Sequence, residues 1–388
     1  MRTSATFLIC ALSVVGLEAC EGCNDTQVNE VVTEGEPEFT NDAGSWLSMA
    51  VTPEGTPAVA YYDRTMDALG YAVGAIADDG TVKWTREEVD SYPDDNGLNP
   101  GDAGKYASLA IASDGQVWIA YQDASNGTMK YAHKADGTWD VAMADAGQGA
   151  TPDGGYWTSL ALDASGNPVA AHHDNGKGNL RVAHWNGASW TGEVAAEGEA
   201  YDPPDTAADP DTVDADVGEY ARIAIASDGT EYIAFYDRAQ GDLKLATGKA
   251  GSYSVETIDS DGDVGQWPSI AFDGSTTWIA YQDAGNQDLK VAQGSPGNWS
   301  LQTVDDGDHA GADTHVFVDD GAVGVVYFDG FNNDMKLARL RDGTWSTETV
   351  AGSTGALGYH NESVRIGSAR YAGCYDFTAR NIFFTALP

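Results

Sequence analysis

Three groups of residues in this 388-residue chain have the types and spacing to do chemistry. The first is a set of departures at one recurring position. Where the chain repeats Ser48, Ser108, Ser159 and Ser269, other copies read Arg222, His315 and Glu362. Two residues upstream, the aromatics Trp46, Tyr106, Trp157, Tyr220 and Trp267 give way to Asp313 and His360 in the last two copies, and His309 lies in the approach to Asp313. Copies kept for architecture alone should agree. A cation, imidazoles and carboxylates at equivalent positions could act as anion clamp, base and acid, or ligate a transition metal. The competing reading is that the closing copies are simply degenerate and these side chains are solvated.

The second group is carboxylate. Asp259, Asp261 and Asp263 alternate along one loop, a spacing that lets a chain wrap a hard cation, so calcium is the candidate cofactor. The segment from Asp202 to Asp216 adds Asp205, Asp209, Asp211 and Asp214. Neither is an EF-hand, because the bidentate Glu at the twelfth position is missing. Asp42, Asp102, Asp153, Asp216 and Asp263 recur at one place, which also fits aspartates that cap their own turns. The third group is the set Trp46, Tyr106, Trp157, Tyr220 and Trp267 beside Asp63, Asp123, Asp174, Asp237 and Asp283. Sugar rings stack on aromatics while carboxylates accept their hydroxyls; the alternative is that the rings plug gaps between units. His172 and His173 are neighbours on a strand and point to opposite faces, so at most one can join a site.

The elements that position these residues are repeats. Segments such as Tyr106-Ala107-Ser108-Leu109-Ala110 are followed by an Asp/Gly turn and a strand ending in Asp, as in Ile119-Ala120-Tyr121-Gln122-Asp123. The terminal aspartates Asp63, Asp123, Asp174, Asp237, Asp283, Asp329 and Asp376 count seven units. Seven positions on stand Gly70, Lys130, Arg181, Lys244, Lys290, Lys336 and Phe383; an Asp and a Lys across this hairpin are expected to pair. A fourth strand carries Trp84, Trp139, Trp190, Trp299 or Trp345, read as packing residues. Four short strands repeated seven times, with no helical period, predict an all-β fold, a seven-bladed β-propeller of four-stranded antiparallel blades. The last unit has three strands, so residues 27–32 are expected to complete blade seven and close the ring, covering an open edge. A fourth strand runs from bottom to top, which sends the N-terminal tether out of the bottom face.

Arg2 followed by an apolar run from Phe7 to Leu17 reads as an export signal over residues 1–19. Leu17-Glu18-Ala19-Cys20 resembles a bacterial lipobox, with Cys20 lipidated and residues 20–26 as linker to a single domain over 27–388; cleavage after Ala19 without lipid is the alternative. Either route exports the chain, to the outer membrane or cell surface or as a secreted protein. The net charge of −40 repels phosphate backbones and anionic lipid, which argues against nucleic acid as a partner and leaves the lipid anchor as the only expected membrane contact. Only Cys23 and Cys374 remain to pair in the mature chain, too few for a disulfide scaffold. A monomer is expected.

The unit Tyr/Trp-x-Ser-Leu-Ala-x-x-x-Asp-Gly-x-x-x-Ile-Ala-Tyr-x-Asp, with Asn, Asp-Leu-Lys and Ala downstream, resembles a repeat of bacterial secreted propellers and lipoproteins over residues 27–388. The resemblance implies architecture and no catalytic residue, because propellers host lectins, lyases, hydrolases and scaffolds alike. Three functions stay open. One is a non-enzymatic binding propeller for a glycan or protein, assisted by calcium. Another is a metal-dependent polysaccharide lyase or hydrolase, and the third a passive surface scaffold. A channel that brings Arg222, His315 and Glu362 within hydrogen-bond reach favours the enzyme; exposed aromatics with those residues dispersed favour the binder.

Overall fold

The computed structural model describes residues 30–31, 42–77, 81–92, 101–149, 151–198, 215–274, 276–307, 309–352 and 355–388. The export segment, Cys20, Cys23 and the aspartates from Asp202 to Asp214 lie outside the described residues. Short alternating strands separated by Asp/Gly turns fold into seven sheets of four antiparallel strands, six of them in simple sequential order. Blade two is representative: Ala103–Ile111 lies innermost, then Val117–Asp123, Thr128–Ala135 and, outermost, Thr138–Asp145. Blade seven takes three strands, Leu357–Ile366, Ala369–Asp376 and Asn381–Ala386, from the C-terminal end of the chain. Its outermost strand comes from the other end: Glu30 pairs with Phe384 and Val31 with Phe383. The expected closure is present in these two residues, and the innermost strand of blade seven packs against that of blade one.

The core is not central. Seven clusters of buried apolar side chains each join two successive blades, as where Val169, Ala171 and Val182 of blade three meet Ile233 and Phe235 of blade four. Burial at roughly 25 cal/mol per Å² therefore acts between sheets and leaves the axis free for polar residues. Cys374 is fully buried in one such cluster.

The recurring acidic residues also join blades, which corrects two expectations. Across the second hairpin Lys130 stands opposite Tyr121, not Asp123, and its ammonium bonds Asp90 at the end of blade one's outer strand. Tyr121 donates to the same carboxylate at 2.6 Å. Asp259 likewise accepts from Lys290 at 2.5 Å and Tyr281 at 2.7 Å, Asp305 from Lys336 and Tyr327, and Asp145 from Arg181 and His172. Within the hairpin, Lys290 and Lys336 reach Asp283 and Asp329 only at 3.8 Å, whereas Lys244 pairs with Asp237 at 2.5 Å. That exception has a reason: blade three ends in Ala196, so no interblade carboxylate is offered, and Phe235 replaces the tyrosine.

The aspartates that lead into the inner strands make a second clasp. Asp102 accepts from Tyr62 at 2.9 Å, Asp263 from Tyr236 at 2.7 Å and Asp42 from Tyr375, each tyrosine belonging to the preceding blade. For these three, the expected role in capping their own turns gives way to tethering neighbours, whereas Asp153 accepts from Tyr156 and Asn175 of its own blade. His172 and His173 do point opposite ways, and both are fully buried. His172 receives the Gly155 amide at 3.0 Å and lies 3.2 Å from Asp145, while His173 bonds the Val217 carbonyl at 3.0 Å. Both hold blade interfaces and neither lines the channel cavities described below.

Candidate functional site

Each inner strand begins with the same backbone device. A glycine with positive φ, Gly104 or Gly265 for example, lets the strand press against the preceding blade: a Cβ there would lie 2.8 Å from the Leu69 Cα or 2.6 Å from the Leu243 Cα. Two residues on, the backbone turns left-handed at a residue with a full side chain, at φ 49° for Trp46, 52° for Tyr106, 47° for Trp157, 55° for Tyr220, 52° for Trp267, 47° for Asp313 and 55° for His360. The register of the inner pair slips once before this residue and again across it in blades one and two. Such a conformation costs of order 1–3 kcal/mol per residue, and all seven blades carry it. Its consequence is to break the alternation of the strand and bring these seven side chains together at the channel mouth.

There they form a collar. Ring centroids are 5.0 Å apart for Trp46 and Tyr106, 5.6 Å for Tyr106 and Trp157, 4.9 Å for Trp157 and Tyr220, and 4.2 Å for Tyr220 and Trp267. His360 continues the arc at 5.7 Å from Trp46. Asp313 is the one member without a ring. The five aromatics are half-buried and surround a recess of about 60 Å³, also lined by Arg222, Asp313, His360 and Asn361. Asp313 lies 3.7 Å from His360 Nδ1 and accepts the His360 amide. Burial pushes the Asp313 carboxyl above its ordinary range, with His360 and Arg222 pulling against it. Burial lowers the His360 imidazole, and Asp313 opposes that shift.

Below the collar, the recurring serines brace the ring. Ser48 Oγ accepts the Leu109 amide at 3.0 Å, Ser108 that of Leu160 at 2.9 Å, Ser159 that of Ile223 at 3.1 Å and Ser269 that of Val316 at 2.9 Å. Each bond links one inner strand to the next. Arg222, His315 and Glu362 take serine positions and form a charged cluster instead: Glu362 lies 3.5 Å from Arg222 Nη2 and 2.9 Å from His315 Nδ1. Burial drives the Glu362 carboxyl upward, but His315 and Arg222 outweigh it and hold the group below its ordinary range. These residues and the serines wall a cavity of about 180 Å³, and Arg222 borders both spaces.

The structure therefore gathers the sequence candidates into two layers, Asp313 and His360 in the collar, Arg222, His315 and Glu362 beneath. It does not gather the calcium candidates. Asp259 is occupied by Lys290 and Tyr281, Asp263 accepts from Tyr236, and Asp261 is exposed. Among the described residues no three His, Cys, Asp or Glu side chains are placed to hold a metal. His309 is exposed, and its carbonyl accepts the Gly330 amide. Two features were missed in sequence. Asn361 lines the recess, and Phe331 and Phe377 stand exposed on the second hairpins of blades six and seven. The signal was there: the hairpin Asp329-Gly330-Phe331 has no aromatic counterpart in Asp123-Ala124-Ser125.

No protein-family model matches the chain, and no curated protein matches it either. Solved structures do share its fold. A polysaccharide lyase aligns over 88% of this chain and 89% of its own at 10% identity and a TM-score of 0.51. A Hadza microbial sialidase aligns over 77% of this chain and 66% of its own at 14% identity and 0.52. The lectin SapL1, solved with alpha methyl fucoside, covers 81% and 97% at 10% identity and 0.49. At these identities the likeness is one of fold.

Proposed function

We propose that this protein is an exported binding propeller that takes a carbohydrate at its collared mouth. The observation that carries the reading is the continuous arc of five half-buried aromatic rings, held by strained backbone around a recess. Rings of this kind offer flat apolar faces to the C–H face of a sugar. The recess, at about 60 Å³, is small for a whole pyranose. The sugar docks on the rim and sends one substituent inward, where Asp313, His360 and Asn361 supply the polar contacts. Trp157→Ala removes the middle of the arc without touching the serine braces. On a glycan array the parent chain is expected to retain a defined set of sugars, and the variant to lose them by ~10-fold or more in affinity, as loss of a stacking aromatic implies. Equal retention by both chains contradicts the reading.

A second reading rests on Arg222, His315 and Glu362, whose gathering about one carboxylate, with the collar rings half-buried, is the arrangement expected of an enzyme rather than of a simple binder. An imidazole 2.9 Å from a carboxylate, with a guanidinium beside it, is a proton-transfer arrangement, and it suits a lyase or hydrolase acting on a substituent that reaches the lower cavity. Turnover of an array-selected glycan, abolished by His315→Ala, would favour this reading over simple binding. For localisation, the proposal is lipid attachment at Cys20, with the bottom face toward the membrane and the collar outward. Cys20→Ala should release the chain from the membrane fraction; unchanged partitioning removes the anchor.

A further inference from the structure

The collar is aromatic on one side and rich in acceptors on the other. Asp313 replaces the sixth ring, and its side chain is 8% exposed. Asn361, from the neighbouring blade, lines the same recess. Its Nδ2 donates to the carbonyls of Gly358 at 2.7 Å and Asp313 at 3.1 Å, while its buried Oδ1 finds no donor among the described residues. An orphaned buried acceptor costs about 1–3 kcal/mol and marks a place where a donor is wanted. Arg222 also borders the recess and acts on Asp313, while its Nη2 lies 3.5 Å from Glu362 in the layer beneath. Over the whole chain the charge of −40 draws cations to the surface and repels anions.

We infer that the substituent received by the recess is a protonated amine, so that the ligand is an amino sugar. The ammonium sits between the Asp313 carboxylate and Asn361 Oδ1, with the indole and phenol faces of the collar around its other flank. Two properties fit together here. An aromatic box with one carboxylate is the arrangement that holds ammonium groups, by cation–π attraction and one charge-assisted hydrogen bond. The small recess admits such a head while excluding the ring that carries it. This rests on the reading that a sugar docks at the collar, and it adds which sugar. A quaternary or primary ammonium on a different carrier presents the same chemistry.

Calorimetric titration of the mature chain separates these cases, at a pH where the amine is protonated and at high salt, so that the diffuse acidic field is screened. The probes are a glucosamine oligosaccharide, its N-acetylated counterpart and tetramethylammonium chloride. The glucosamine oligosaccharide is expected to bind at least ~10-fold more tightly than the acetylated one, and Asp313→Asn to erase the difference. Tetramethylammonium should compete with the glucosamine oligosaccharide on the parent chain, a result that needs no variant to fold. Equal affinity for the two oligosaccharides overturns the ammonium inference and leaves the carbohydrate reading standing. Tetramethylammonium binding without either oligosaccharide supports the ammonium seat and overturns the sugar as its carrier. If no probe binds, both are overturned.

Discussion

Asp313 and Glu362 sit two repeat positions apart on neighbouring inner strands, and their surroundings push them in opposite directions. Glu362 is held below its ordinary range because His315 and Arg222 outweigh its burial; Asp313 is raised because burial outweighs His360 and Arg222. Asp259 and Asp305 are lowered like Glu362, burial being overcome by Lys290 or Lys336 and the adjoining tyrosine. The signs give a pH dependence. Groups with lowered native values contribute stability above their unfolded pKa of about 4, and that stability is lost as pH falls through the native values. Asp313 acts the other way, gaining stability as pH falls through its raised value, as do Asp63, Glu219, Asp242 and Asp288, but the carboxyls held low, Glu87, Asp145 and Asp319 also among them, are the more numerous. The denaturant midpoint is therefore expected to hold near neutrality and to fall as the pH drops below about 4; a midpoint that rises on acidification contradicts the interblade clasps. Which residues departed from the repeat was legible in the sequence, because Arg222, His315, Glu362, Asp313 and His360 break an otherwise regular column. That Asn361 joins them was not, since the column beside it reads Leu47, Ala107, Thr158, Ala221, Pro268 and Thr314 and carries no pattern to break.

At the scale of elements, strands and turns followed from alternation and Asp/Gly punctuation, and the closing strand from the count of strands in the last unit. Partners were harder. A hairpin suggests that Asp123 and Lys130 face each other, yet the register sets Lys130 against Tyr121 and frees its ammonium for Asp90 of another blade. Sequence distance carries no information about that choice, because the outer strand of one blade and the third strand of the next meet only in the closed ring. The candidate calcium loop shows the same limit of sequence distance. Asp259, Asp261 and Asp263 look like one loop with three ligands, but Asp259 belongs to the end of blade four's outer strand and its carboxylate is committed to blade five. Correlated losses expose the device after the fact. Where Ala196 or Ala351 ends the outer strand, the tyrosine position of the next blade holds Phe235 or Cys374.

For the whole molecule, the division of labour is between wedges and axis. Apolar clusters and acidic clasps hold neighbouring blades together, and the clasped carboxylates have a structural role without any ligand. What is left over for function lies on the axis, where seven strained backbone positions present five rings, one imidazole and one carboxylate. Of the 11 tryptophans, Trp46, Trp157 and Trp267 line the recess and would meet ligand under the proposed function, while Trp84, Trp139, Trp299 and Trp345 lie on the outer strands. Indole N–H resonances read these positions separately. Titration with a sugar retained on the glycan array is predicted to shift Trp46, Trp157 and Trp267 together and to leave the outer-strand indoles in place. Shifts confined to the outer strands, or a bound sugar that moves none of the three collar indoles, would contradict it.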